Sequence, residues 1–187
     1  MTHIVVDIET LGLKPGSVIL EIGAAAFVAG QKGPVTNTFS VTIAPYKSVA
    51  ALGASVDPQT EQWWRMHQET YDDLIKDCST DNNSPAEALC QFANWADLFS
   101  GPRVFWENGP EFDMVLLQWY FERAQRADVR INNLPWKYSE VASLRSLTAL
   151  APDFKPEDII NPNPHRAGSD ALYEAQILQA CIDTRIK

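Results

Sequence analysis

Two carboxylates, Asp7 and Glu9, end a short apolar run that begins at His3. Side chains at i and i+2 leave a strand on the same face, so Asp7 and Glu9 point one way and Ile8 points into the core. Like charges held this close repel and raise each other's pKa unless a cation sits between them. Hard divalent cations with oxygen ligands, Mg²⁺ or Mn²⁺, suit such a pair. A solvated strand end is the plain alternative for any single D-x-E. Asp113 is the second candidate, carried past a strand (Arg103 to Trp106) and an Asn108-Gly109-Pro110 turn into the first turn of a helix. It could serve only the helix dipole, as Glu111 could, but a strand-turn-helix junction is also where α/β sites gather. The third is the segment His165 to Asp170, HRAGSD, at the start of the last helix. There a lone His is open to a structural reading and an Asp to that of a cap. Taken together, carboxylates from separate segments can hold two divalent ions about 3.5–4 Å apart and clamp both oxygens of an in-line phosphoryl displacement. A neighbouring histidine can deprotonate the attacking water.

These residues need a scaffold, and the hydrophobic pattern supplies one. His3–Asp7, Val18–Val28 and Val35–Ile43 read as three consecutive strands of an antiparallel meander. Asp57-Pro58 opens a helix as N-cap and first helical residue, and Ser84-Pro85-Ala86-Glu87 is a capping box. Arg103–Trp106 is a fourth strand, followed by an amphipathic helix through Phe112, Val115, Leu116, Trp119 and Tyr120. The spacing predicts a helix over Ser139–Leu150, a proline-rich loop over Ala151–Pro164 and a final helix over Asp170–Ile186. A meander followed by alternating helices and strands predicts a mixed α/β layer fold in a single domain over residues 1–187.

Composition narrows the setting. The chain of 187 residues carries 15 Lys+Arg against 24 Asp+Glu, a net charge of −9. That argues against holding nucleic acid by a broad positive field. Basic residues are scattered (Arg65, Lys137, Arg145, Lys155, Arg166). Three widely spaced cysteines, Cys78, Cys90 and Cys181, speak for a reducing compartment and against a thiolate metal site. No apolar stretch approaches the roughly 20 residues of a membrane span, and the start lacks a signal-peptide pattern. A cytoplasmic protein is the expectation.

The runs VVDIETLG, WENGPEFD and HRAGSDA, in that order, resemble the DEDDh branch of the DnaQ-like 3′→5′ exonucleases. They are most similar to small phage and enterobacterial exonucleases grouped with ribonuclease-AS-type enzymes. The resemblance covers residue 4 to about 180 and includes a Trp-Trp segment, TEQWWRMHQE. It implies a ribonuclease-H-like sheet, an antiparallel meander plus parallel strands flanked by helices. It also implies two divalent cations, a nucleic-acid 3′ end as substrate, and allows a homodimer. Asp7, Glu9, Asp113 and Asp170 match the metal ligands and His165 the general base. The backbone of Thr10, Leu11 and Gly12 matches the strip under the terminal nucleotide, with Leu11 as a wedge or as simple loop packing. Asn108 and Arg166 are further substrate contacts on this reading, Arg166 toward phosphate, and Trp63 or Trp64 could stack on a base. Two departures stand out: Glu107 precedes Asn108 where relatives carry a small residue, and Ser143-Leu144-Arg145-Ser146 replaces an Asp-x-Arg-Thr. Whether the substrate is DNA or RNA stays open, as do a non-catalytic binding protein and a phosphatase on free nucleotides.

Overall fold

The computed structural model describes residues 1–126, 131, 133–150 and 159–185. A mixed five-stranded sheet runs in the order β3-β2-β1-β4-β5. Its strands are β1 (Thr2–Thr10), β2 (Ile19–Val28), β3 (Asn37–Thr42), β4 (Arg103–Glu107) and β5 (Val141–Ser143). The meander β1-β2-β3 is antiparallel, while β4 pairs parallel to β1 and β5 parallel to β4. Helices α1 (Pro45–Leu52), α2 (Pro58–Trp64), α3 (Gln68–Asp81) and α4 (Pro85–Ala96) separate β3 from β4. Helix α5 (Asp113–Gln125) follows β4, α6 (Leu144–Ala149) follows β5, and α7 (Ala167–Arg185) closes the described chain. Among the described residues no helix is long and apolar enough to cross a membrane.

Strand alternation divides the core into two layers. From β1, Ile4, Val6 and Ile8 join the larger cluster with Leu74, Leu89, Phe92, Leu117 and Tyr120 of α3, α4 and α5. Val5 joins Ala25 and Phe27 of β2 on the other face, against Ala171, Ala175 and Leu178 of α7. Asp7 and Glu9 continue the Val5 side, so the strand's period of two sets both carboxylates toward α7 and Ile8 into the core. Helix starts follow their caps. The Asp57 side chain accepts from the Gln59 N–H at 2.9 Å, and Ser84 and Glu87 form a reciprocal capping box.

The structure departs from the sequence pattern in several places. The segment Ser139–Leu150 is not one helix but a 3₁₀ turn (Tyr138–Glu140), the edge strand β5 and the short α6. Val141 pairs with Phe105 of β4, and sheet extension overrides a helical periodicity of little more than three turns. The helix α1, with Pro45 at its start and no side-chain cap, carries no local signal strong enough to announce it. Helix α7 begins at Ala167, so Asp170 lies inside its first turn. Residues 151–158 of the expected proline-rich loop, and 186 at the end of the last helix, lie outside the described residues.

One glycine decides how closely α7 meets the sheet. Gly23 pairs with Asp7 across β1–β2. A Cβ placed there would lie 2.0 Å from the Ala167 carbonyl carbon and 2.3 Å from the Gly168 nitrogen. Backbone on backbone cannot yield as a side chain would, so a larger residue must push the start of α7 off β2. Gly23→Ala is expected to lower stability by about 1–3 kcal/mol through overpacking and to cost activity beyond that by displacing Asp170. Chemical denaturation and a nuclease assay on the same variant check this; an unchanged midpoint with full activity contradicts it.

Candidate active site

The site forms where β1 outruns its partner. The last β1–β4 pair is Val5–Trp106, so the β4-facing edge of β1 is open beyond it. Asp113, at the head of α5, fills that gap: its Oδ1 accepts the Ile8 N–H at 3.2 Å. Glu107, the last residue of β4, explains the departure at that position. Its buried carboxylate accepts the N–H groups of Glu111, Phe112 and Met114 at 3.3, 3.2 and 3.1 Å, tying down the turn before α5. A negative group there also suits the positive end of a helix.

From the other side comes the start of α7. The His165 N–H donates to Asp170 Oδ2 at 2.9 Å, and the Asn161 amide donates to Asp170 Oδ1. His165 holds a left-handed backbone with φ 63°. Such a conformation costs a non-glycine residue energy and persists only where its surroundings enforce it. Its ring stands edge-on to Trp63, 5.0 Å between centroids, and 4.4 Å from the His67 ring. Ligand atoms of Glu9, His165 and Asp170 all lie within 4.8 Å of one another. Asp7 feels Asp113, Glu9, Glu174 and Asp170, so the expected four acids and the histidine come together.

Electrostatically this is an acid trap. Burial pushes the Asp7 and Glu9 carboxyls well up, and neighbouring acids add to it. Asp113 rises to about 7 through burial and Glu107, against the pull of the Ile8 N–H. Asp170 also rises through burial, despite its hydrogen bonds. His165 moves the opposite way, lowered by burial and by His67, which leaves it neutral near pH 7. Among the described residues no lysine or arginine forms an ion pair with these carboxylates. Buried charges of one sign need a partner. Clustered carboxylate oxygens with no protein cation fit hard divalent ions in chemistry and in placement.

Other side chains take roles the sequence did not announce. Glu174, one turn past Asp170, is buried among the acids and rises to about 8 through burial, Asp113 and Asp170. The Arg166 reading as a phosphate contact gives way to another arrangement. Its Nε donates to Glu21 Oε2 at 3.0 Å and its Nη2 to Asp77 Oδ2 at 2.8 Å, so two carboxylates occupy the guanidinium. Glu21 accepts the Ala167 N–H as well, at 3.0 Å, and so straps the start of α7 to β2. Leu11 is buried in the core and packs rather than wedges. Leu13, which is exposed, lines the neighbouring cleft instead. That cleft, about 350 Å³, is walled by Glu9, Thr10, Leu13, Trp63, Trp64 and Phe112. Trp64 Nε1 donates to the Thr10 carbonyl at 2.9 Å, which makes it a brace for the strand end, while Trp63 is partly exposed at the cleft wall. At Gly12 a Cβ would meet Ser17 Oγ at 2.4 Å, so the turn closes tightly there. The Asn108 side chain bonds Glu174, and its carbonyl accepts the Arg145 N–H at 2.9 Å.

The raised carboxyls have a consequence for stability. Unfolded carboxylates lose their protons near pH 4, whereas folding holds them on Asp113 up to about 7 and on Glu174 up to about 8. Between those limits the folded state binds more protons, so the site's destabilisation is absent at low pH and grows as pH rises toward 8. Cation binding displaces the same protons and gains affinity over that range. In thermal melts, Mn²⁺ added after EDTA treatment is expected to raise Tm more at pH 8 than at pH 5; equal shifts contradict the arrangement.

Comparison with known proteins bears on the fold and the family. The structure is similar to S. pombe Pop2p in its Mg²⁺- and Mn²⁺-bound form, with a TM-score of 0.62 and 16% identity. That match covers 98% of this chain and 83% of the other. It is also similar to a product-bound exonuclease I, with a TM-score of 0.57 and 15% identity. There it covers 98% of this chain but 45% of the other, so this chain spans less than half of that protein. At these identities the likeness is one of fold, the ribonuclease-H-like sheet with flanking helices. No curated protein matches the chain in sequence. Residues 2–182 match the 3′–5′ exoribonuclease Rv2179c-like domain; the chain belongs to that family and is a 3′–5′ exonuclease.

Proposed function

We propose that the protein removes nucleotides one at a time from the 3′ end of RNA and releases nucleoside 5′-monophosphates. The convergence of Asp7, Glu9, Asp113 and Asp170 from β1, α5 and α7, beside a neutral His165, carries this reading. Membership of an exoribonuclease family supports RNA over DNA. On this reading Asp7 and Glu9 of β1, with Asp113 and Asp170, hold two divalent cations, Mg²⁺ or Mn²⁺. When bound, such ions neutralise phosphate charge and make water more acidic.

The protein's own groups do the rest. The terminal nucleotide enters the cleft beside Glu9, with Thr10, Leu13 and Phe112 along its sides and the exposed part of the Trp63 ring available to a base. Stacking on an aromatic face contributes about 1–3 kcal/mol per base and tolerates any sequence. His165, neutral because burial and His67 lower its pKa, accepts a proton from the attacking water at a ring nitrogen. The new bond forms between that water's oxygen and phosphorus, and the bond from phosphorus to the 3′-oxygen of the preceding nucleotide breaks. Trp63 and His67 hold the His165 ring. Asp170 fixes its backbone.

The net charge of −9 fits a short grip on one 3′ end rather than tracking along a polymer. The cysteines Cys78, Cys90 and Cys181, none in a disulfide among the described residues, accord with a reducing cytoplasm.

Digestion of 3′-labelled RNA and DNA with Mn²⁺ tests the reading. RNA is expected to shorten stepwise and faster than DNA, and EDTA to stop it. His165→Ala is expected to lose about 10²–10⁴-fold in kcat, the usual worth of a general base, and Asp7→Asn at least as much. Because His165 must be deprotonated and its pKa lies below 6.5, wild-type activity falls on an acidic limb below that value. At Mn²⁺ concentrations that saturate the site at every pH, the His165→Ala variant lacks that limb. Phosphate release from free nucleotides without shortening of oligomers overturns the proposal, as does full activity in both variants.

A further inference from the structure

Glu174 belongs to neither the resemblance nor the fold's needs. It lies at i+4 from Asp170, on the face of α7 that carries Ala171, Ala175 and Leu178 into the core. A leucine would suit those neighbours; the chain places a carboxylate there, 6% exposed. Asn108 satisfies part of it. Its Oε2 has no hydrogen-bond partner. The charges that act on it most are those of Asp113 and Asp170, and it acts in turn on Asp7. The charge of Arg145 offsets only part of what burial, Asp113 and Asp170 impose, and a buried carboxylate oxygen without a donor, facing three further carboxylates, is a costly arrangement that a bound cation relieves.

Resting on the reading above, we propose that Glu174 is a fifth carboxylate of the cation site. Its free Oε2 serves the cation held on the Asp7–Asp113 side, either directly or through one water. On the other side, Glu9, His165 and Asp170 crowd together with ligand atoms within 4.8 Å of one another. Asp113 has already committed Oδ1 to the Ile8 N–H. The Asp7–Asp113 side is therefore short of oxygens, and Glu174, whose Oε2 has no hydrogen bond and whose charge acts on Asp7, supplies one. The role extends to positioning, because Asn108 and the backbone it shares with Arg145 orient the Glu174 carboxylate from the β4–α5 turn.

Calorimetric titration of the EDTA-treated protein with MnCl₂, without substrate, tests this. The wild type is expected to bind two Mn²⁺ per chain. Glu174→Gln, of the same shape without the charge, is expected to retain one tight site and weaken the other by about 10–100-fold, the range for supporting ligands. Above pH 8, where the buried Glu174 carboxyl is ionised, the metal-free Glu174→Gln protein should melt higher than wild type, yet gain less from Mn²⁺. A merely structural glutamate would not produce these opposite shifts. Glu174→Leu, which suits the apolar neighbours, carries the same expectation if the Gln variant folds poorly. Two sites of wild-type affinity in either folded variant overturn the role of Glu174 alone. A wild type that binds fewer than two Mn²⁺ overturns this inference and the two-cation reading together; one that binds two but shortens no RNA overturns the proposed activity and leaves Glu174 as a cation ligand.

Discussion

Mutual repulsion among buried carboxylates is the constraint around which the structure is arranged. Burial raises Asp7, Glu9, Asp113, Asp170 and Glu174, which come from three separate elements, and neighbouring acids push all but Asp170 further, with no ion pair to a lysine or arginine among the described residues. Left to themselves such groups would move apart or stay protonated. The frame prevents the first, and a divalent cation makes the second unnecessary. The same strain that makes the metal-free site unfavourable is what gives a bound cation its hold.

The frame is built from backbone rather than from long side chains. Glu107 anchors the turn that delivers Asp113 by accepting three N–H groups. Glu21, the register partner of Glu9 on β2, holds Ala167 and Arg166 and so fixes where α7 begins. Gly23 lets that start approach β2 at a distance no Cβ would allow. Asn161 ties the segment before α7 to Asp170. Each link acts within about one helical turn of a site carboxylate, so the scaffold and the chemistry are hard to separate by mutation. Catalytic groups need this kind of support because small displacements cost large factors in rate.

Legibility in the sequence followed the range of the interaction involved. Alternation in DIE set Asp7 and Glu9 on one face because a strand's period is a local property. Asp113 and Asp170 were marked by junctions that turn residues and helix caps announce. Glu174 was hidden because its position on α7 fits the apolar periodicity through Leu172, Ala175 and Leu178; a spacing of four from Asp170 was the available signal. Arg166 looked free to meet phosphate since neither Glu21 nor Asp77 is near it in the chain. Leu11 and Leu13 could exchange roles because a turn's path, not its composition, decides which one the core takes. The strand β5 was read as helix since three residues at a sheet edge owe their conformation to β4.

The most direct measurement is anomalous diffraction from crystals soaked in MnCl₂. The account predicts two manganese peaks about 3.5–4 Å apart, one against Glu9 and Asp170 and the other on the Asp7–Asp113 side, with Asp7 touching both. A single peak elsewhere on the surface, or none among these carboxylates, would contradict it.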